Sequence, residues 1–186
     1  MSGEWAGEFG TGRNPYYVTT PGQRLSEQGW HAELAWRPEN ARFQPFAEIG
    51  YVYYSEDFTP FAQGFSDWGK WYLGNQIDWI LFGTNSRIAR AEAGFWPHAQ
   101  VKLRLQYFQT RLVSGPGGPL ANEWSLIADW YPSERVWCSA LLGYSDPGGA
   151  LVRSGLTNPF GYLNAGAVTM GGETSVDLVF AAGLSY

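Results

Sequence analysis

Apolar and polar residues alternate at period two along seven stretches of this chain, the last running Val176-Asp177-Leu178-Val179-Phe180-Ala181-Ala182-Gly183-Leu184-Ser185-Tyr186. An extended strand points successive side chains to opposite faces, so Val176, Leu178, Phe180, Ala182, Leu184 and Tyr186 make one continuous apolar face. The pattern predicts strands at about Glu4 to Thr11, Leu25 to Arg37, Arg42 to Tyr54, Arg87 to Trp96, Val101 to Arg111, Asn122 to Trp130, Val136 to Tyr144 and Ser175 to Tyr186. The first of these is the faintest.

The two parities differ sharply in chemistry. One carries Trp30, Ala32, Leu34 and Trp36, then Phe43, Pro45, Ala47, Ile49, Tyr51 and Tyr53, then Ala89, Ala91, Ala93 and Phe95. It continues through Val101, Leu103, Leu105 and Tyr107, through Trp124, Leu126, Ala128 and Trp130, and through Val136, Cys138, Ala140, Leu142 and Tyr144. The opposite parity holds Glu33, Arg37, Glu48, Arg90, Glu92, Lys102, Arg104, Glu123, Asp129, Arg135 and Asp177. Arg111 breaks the parity at a loop end. A lipid-facing surface demands such segregation, because one Lys or Arg near a bilayer midplane costs about 2 to 4 kcal/mol.

Punctuation sharpens the picture. Short turns rich in Pro and charge fall at Arg37-Pro38-Glu39-Asn40, Trp96-Pro97-His98-Ala99 and Tyr131-Pro132-Ser133-Glu134. Long irregular segments occupy about Gly12 to Arg24, Glu56 to Asn85, Ser114 to Ala121 and Ser145 to Thr174. Three short turns and four long loops thus join eight strands. Bacterial outer-membrane barrels have this asymmetry, with short periplasmic turns and long extracellular loops. The predicted fold is all-β, an antiparallel transmembrane β-barrel of about eight strands, in one domain over residues 1–186. The ten steps from Phe43 to Tyr53 span about 33 Å, which a tilt of roughly 40° reduces to about 25 Å, the height of a membrane band. Trp30, Trp36, Phe43, Tyr53, Trp124, Trp130, Phe180 and Tyr186 are the expected lipid-facing girdle. A soluble barrel or sandwich with the apolar face inside is the rival, and it must pack Trp30, Trp36, Trp124 and Trp130 together in a small interior.

Composition agrees with strands that have one wet face. The chain is rich in aromatics, with 10 Trp, 11 Tyr and 11 Phe, yet polar on average, with a mean hydropathy of -0.26. No run approaches the length of a transmembrane helix, which says nothing against strands that span by alternation. A formal charge of -5 with no Lys/Arg cluster argues against a nucleic-acid partner. The lone Cys138 reads as an apolar filler rather than a reactive thiol. The opening Met1-Ser2-Gly3-Glu4 has no signal-peptide character, so a processed, truncated or re-engineered chain is expected and the bacterial outer membrane is inferred from the strands. Membrane lipids and lipopolysaccharide are the expected partners.

On the polar parity, Arg90, Lys102 and Arg104 fall on adjacent strands and form a candidate basic ladder that would favour anions in a pore. Glu92, Glu48, Glu33 and Asp129 complete the set of pore-lining candidates, and the alternative is that acids and bases pair in a buried network. Ile127, Leu141 and Val179, with Phe46, Phe108 and Trp137, share this parity and resist a purely aqueous channel. Either side chains fill a narrow lumen, or part of it packs against a loop or plug. His31 faces inward and His98 sits in a turn, and neither has a nucleophile at recognisable spacing, so no enzyme, no catalytic residue, no cofactor and no metal cluster is expected. Calcium at loop carboxylates stays open.

From the third strand onward the chain resembles the C-terminal part of the alginate-export family of outer-membrane barrels. The resemblance rests on Phe46-Ala47-Glu48-Ile49-Gly50-Tyr51-Val52-Tyr53-Tyr54-Ser55-Glu56-Asp57, where Glu56 replaces the usual Gly, and on Trp68-Gly69-Lys70-Trp71-Tyr72-Leu73, where Lys70 replaces an acid. Asn122-Glu123-Trp124-Ser125-Leu126-Ile127-Ala128-Asp129-Trp130 and Ser145-Asp146-Pro147-Gly148 are similar to the family's later strand and last-loop opening. These matches cover about three quarters of the chain. The resemblance implies a porin that passes saccharides or small anionic solutes through a barrel wider than eight strands, with Arg90, Lys102 and Arg104 as wall residues. It also implies additional strands, sister chains in an oligomer, or closure of this chain on itself. The other function class is a non-conducting barrel that anchors or scaffolds through its loops, above all the aromatic one with Phe58, Phe61, Phe65, Trp68, Trp71 and Tyr72.

Overall fold

The computed structural model describes residues 1–10, 25–56, 85–115, 117–154 and 173–184. Eight strands follow one another in chain order: β1 (Ser2–Gly10), β2 (Leu25–Trp36), β3 (Phe46–Tyr54), β4 (Ser86–His98), β5 (Val101–Leu112), β6 (Pro119–Ser133), β7 (Val136–Pro147) and β8 (Ser175–Leu184). They form a single antiparallel sheet in the order β1 to β8, each strand paired with its neighbour in sequence. Among the described residues no ladder joins β1 to β8. One short helix, α1 (Gly149–Ser154), follows β7. No helix among the described residues is long and apolar enough to cross a membrane, a test that strands do not enter.

The two faces of the sheet differ in exposure. Val52, Ile88, Phe108, Leu120, Ile127 and Leu141 are buried on one face, and they share it with buried His31, Arg90, Gln106, Glu123, Ser125 and Asp129. The other face exposes Trp5, Leu34, Trp36, Ile49, Leu105, Leu126, Trp130 and Leu142, and on β8 Val176, Leu178 and Phe180, the last of them 73% exposed. Burying one aliphatic or aromatic side chain contributes about 1.5 to 3 kcal/mol, so the buried apolar set holds one face firmly while the other offers the same kind of gain unrealised.

The strands are strongly staggered. The residue opposite Ser2 is Glu33, and the same level passes through Gly50, Arg90, Phe108, Glu123 and Ser145 to Ser175. Ser2 lies at the turn end of β1, whereas Ser175 lies at the loop end of β8, whose turn end is Leu184. The sheet has therefore slipped by about nine residues, or about 30 Å, over seven strand spacings of about 34 Å, a stagger that in a closed barrel would correspond to a strand tilt of about 41°.

Local details differ from the sequence reading in four places. The predicted third strand begins at Arg42, but pairing starts at Phe46 because Asn40, Phe43 and Gln44 take positive φ values of 58°, 67° and 42° and form an irregular turn. Phe43 therefore stands off the strand, exposed, with the Arg42 guanidinium 4.6 Å from its ring centre, and its carbonyl accepts a bond from the Trp96 N–H. Without it, Ala47 to Tyr53 on β3 gives only about 15 Å of height, and β8 from Val176 to Leu184 about 20 Å. Second, the segments Trp96-Pro97-His98 and Tyr131-Pro132-Ser133 are strand rather than turn. Each continues through a register shift, so that His98 pairs with Val101 and Ser133 with Val136 around two-residue turns. A proline tolerated at a bulge explains both. Third, the Ser114 to Ala121 loop is shorter than its Gly/Pro content suggests, since β6 already begins at Pro119.

Fourth, the Ser145 to Thr174 segment opens with strand and helix. The Gly148 N–H donates to the Leu120 carbonyl, Ala150 and Leu151 are buried, and Arg153 donates to the Gly117 carbonyl at 2.8 Å, so α1 docks on β6. Tyr186, the loop over Gly12 to Arg24, the aromatic segment with Phe58, Phe61, Phe65, Trp68, Trp71 and Tyr72, and the later part of the last loop lie outside the described residues.

Candidate functional site

The charged residues singled out by parity converge on the buried face. Register places Glu48 opposite Glu92, a like-charge pair that on its own would destabilise the sheet. Arg90, two residues from Glu92, relieves it. Its guanidinium bonds Glu33 Oε1 at 3.0 Å through Nη1, bonds Glu48 Oε1 through Nη2, and lies 3.7 Å from Glu92 Oε2. The side chain is only 4% exposed, so these contacts replace the water it has lost.

Reaching Glu33 requires Arg90 to cross the intervening strand, and the residue it crosses is Gly50, opposite both of them. A Cβ built on Gly50 would stand 3.0 Å from Arg90 Cγ and 3.3 Å from Glu33 Cγ. The missing side chain is what opens the route. Gly94 serves a similar purpose nearer the turns, where Phe46 lies across it; an added Cβ would approach the Phe46 ring to 2.6 Å. On the far side of Phe46 the Lys102 ammonium sits 4.7 Å from the ring centre and 5.9 Å from that of Trp96.

Arg104 extends the network toward β6 and β7. Nη2 meets Asp129 Oδ2 at 2.9 Å and Nη1 lies 3.9 Å from Glu92 Oε1. Gln106 donates to Glu92 Oε2 at 2.8 Å, Ser139 donates to Asp129 Oδ1 at 2.8 Å, Arg37 lies 3.8 Å from Glu48 Oε2, and Ser2 donates to Glu33 Oε2 at 3.4 Å. Every carboxylate oxygen of Glu33, Glu48, Glu92 and Asp129 thus has a partner. The acids and bases run as one alternating chain from Glu33 on β2 to Asp129 on β6, with the hydroxyls of Ser2 on β1 and Ser139 on β7 at its two ends.

Of the seven pore-lining candidates, the structure brings six into direct contact: Glu33, Glu48, Arg90, Glu92, Arg104 and Asp129. Lys102 stands opposite Asp129 but places its ammonium over aromatic rings instead. Of the two arrangements that parity left open, Arg90 and Arg104 take the paired one, whereas Lys102 does not join it. Gln106, Ser139, Ser2 and the opening at Gly50 escaped the sequence reading, which followed charge alone. Their inner parity was the available signal.

Toward the loop end the same face buries the apolar side chains Val52, Ile88, Phe108 and Leu120. On the outer face, Trp30 stacks on Tyr53 with ring centres 5.7 Å apart, Tyr107 meets Trp124 at 4.5 Å, and Trp36, Phe95 and Trp130 are exposed nearer the turns. Near the loops that face becomes polar: Tyr107 donates to Asn122 Oδ1 at 3.0 Å and Gln109 to the same oxygen at 3.3 Å. Comparison of the chain with protein-family models, curated proteins and solved structures finds no match. Among the described residues no three His, Cys, Asp or Glu side chains gather as metal ligands.

Proposed function

We propose that this chain is the wall of a bacterial outer-membrane β-barrel of the porin type, through which saccharides or small anionic solutes pass once the sheet is completed into a wide barrel. The observation that carries the reading is the sheet's division of side chains: eight staggered strands with an apolar, aromatic-edged face exposed, charged only toward its loop end at Arg87, Arg111 and Asp146, and the other ionised strand side chains on the opposite face. Soluble monomers rarely expose a contiguous apolar patch of more than a few hundred Å². Lipid covers such a face without loss, and the tilt of about 41° lies in the range of spanning strands. An open edge cannot face hydrocarbon, so β1 and β8 acquire partners in the membrane, either each other or further strands. Passage of anionic or saccharide solutes rests on the resemblance to alginate-export porins and on the charged side chains of the inner wall.

A second reading is favoured by the filled inner face. If the eight strands close on themselves, the interior has room for side chains only. The paired ladder and the buried apolar cluster toward the loop end would then occlude it, leaving a non-conducting anchor or scaffold. Refolding into planar bilayers and recording single-channel currents separates the two. Stable open steps support the conduit, whereas a folded, heat-modifiable species without conductance overturns passage by the lone chain and leaves the anchor. A protein that stays monodisperse without detergent refutes both.

A further inference from the structure

The outer face carries a charge pair that parity alone does not reveal. Arg87 on β4 and Arg111 on β5 stand directly opposite each other, both exposed on the apolar side of the sheet. Side chains in this relation have Cβ atoms about 4.5 to 5.5 Å apart, and like charges there repel. Neither arginine forms an ion pair with a described residue. Asp146 is an acid on that face, but it stands opposite Asn122, two strands beyond Arg111. Tyr53 flanks Arg87 on β3 and belongs to the stack with Trp30. Arg111 lies four residues beyond Tyr107 on the same strand, which at a tilt of about 41° is about 10 Å above the aromatic pair that Tyr107 makes with Trp124.

We infer that Arg87 and Arg111 form a binding site for a lipid-borne phosphate group in the leaflet at the loop end of the barrel. The inference rests on the membrane reading proposed above. Two guanidinium groups side by side are the donor set that a phosphate accepts in bidentate fashion, and an anion held between them converts their repulsion into attraction. Their height fits: aromatic side chains mark the interface, and phosphates lie just above it in the headgroup layer. A free anion would find the same charges, but only a lipid combines a phosphate with acyl chains that lie along Ala89 and Tyr51 directly below and, past Gln109, along Ala91 and Tyr107.

The test uses the full chain folded in detergent micelles, with folding monitored independently by heat-modifiable gel mobility, and bisphosphorylated lipid A as the probe. Expected is saturable binding that falls at least tenfold in the Arg87→Gln/Arg111→Gln double variant while heat modifiability persists. The Arg87→Lys/Arg111→Lys variant should retain part of it. Unchanged lipid A binding in the folded glutamine variant overturns the site. Displacement of lipid A by inorganic phosphate at equal concentration overturns the lipid assignment in favour of a free anion. A chain that never acquires the heat-modifiable form refutes the membrane reading, and the site falls with it.

Discussion

Removing the Arg90 guanidinium is the sharpest probe of the inner ladder. In Arg90→Met the side-chain volume is roughly kept, but Glu33 retains only the Ser2 hydroxyl at 3.4 Å, Glu48 only Arg37 at 3.8 Å, and Glu92 retains Arg104 at 3.9 Å and Gln106 at 2.8 Å. The Glu48–Glu92 opposition across β3 and β4 is then uncompensated on one side. Breaking a buried ion pair by deleting one partner costs about 3 to 5 kcal/mol, and Arg90 serves two close carboxylates, so a loss toward the upper end of that range is expected. Urea titration of the lipid- or detergent-folded protein measures it. Arg90→Met/Glu33→Gln/Glu48→Gln should recover most of the lost stability, since replacing a whole buried network is far less costly than halving it. A single-variant loss below about 1 kcal/mol, or a triple variant no better than the single, would refute the account of the ladder as a mutually dependent unit.

Leu126 is at the middle of β6 and 52% exposed; Leu126→Arg should cost about 2 to 4 kcal/mol in bilayer refolding, whereas a change within about 0.5 kcal/mol would mean that the face meets water. Gly50→Val closes the passage by which Arg90 reaches Glu33 and should cost about 1 to 3 kcal/mol by overpacking, measured by the same titration; an unaltered midpoint would show that the route is not needed. If the barrel closes on itself with a shear of about ten residues, the outward-facing Trp5 comes opposite Ala182. In a Cys138→Ser background, required because Cys138 already stands opposite Ala182, Trp5→Cys/Ala182→Cys should then oxidise within one chain, which gel mobility reads. An intermolecular bridge instead would assign the edges to two copies, and no bridge of either kind would leave them to further strands.

Strand number, order and face were legible because period two is a local property: Glu33, Glu48, Glu92 and Asp129 could be assigned to one face from their own strands without knowing any pairing. Boundaries were less legible where backbone conformation overrides pattern. Phe43 fits the alternation, yet the positive φ at Phe43 and Gln44 puts it in a turn. Pro97 and Pro132 resemble strand ends, yet each sits in a bulge that the paired strand tolerates. The choice left open between a basic ladder and a paired network could not be settled from parity, since a shared face does not state which residues stand level.

By itself, then, the sequence determined an all-β chain with one mainly apolar face and one face that carries most of the ionised side chains, because side-chain direction in a strand depends only on position along it. The tertiary structure decided everything that depends on register. It set Glu48 against Glu92 and ran Arg90 over Gly50 to Glu33, and it brought Arg87 and Arg111 together on the opposite face. Register is a relation between strands distant in the chain, fixed by turns, bulges and packing together, and no local pattern encodes it.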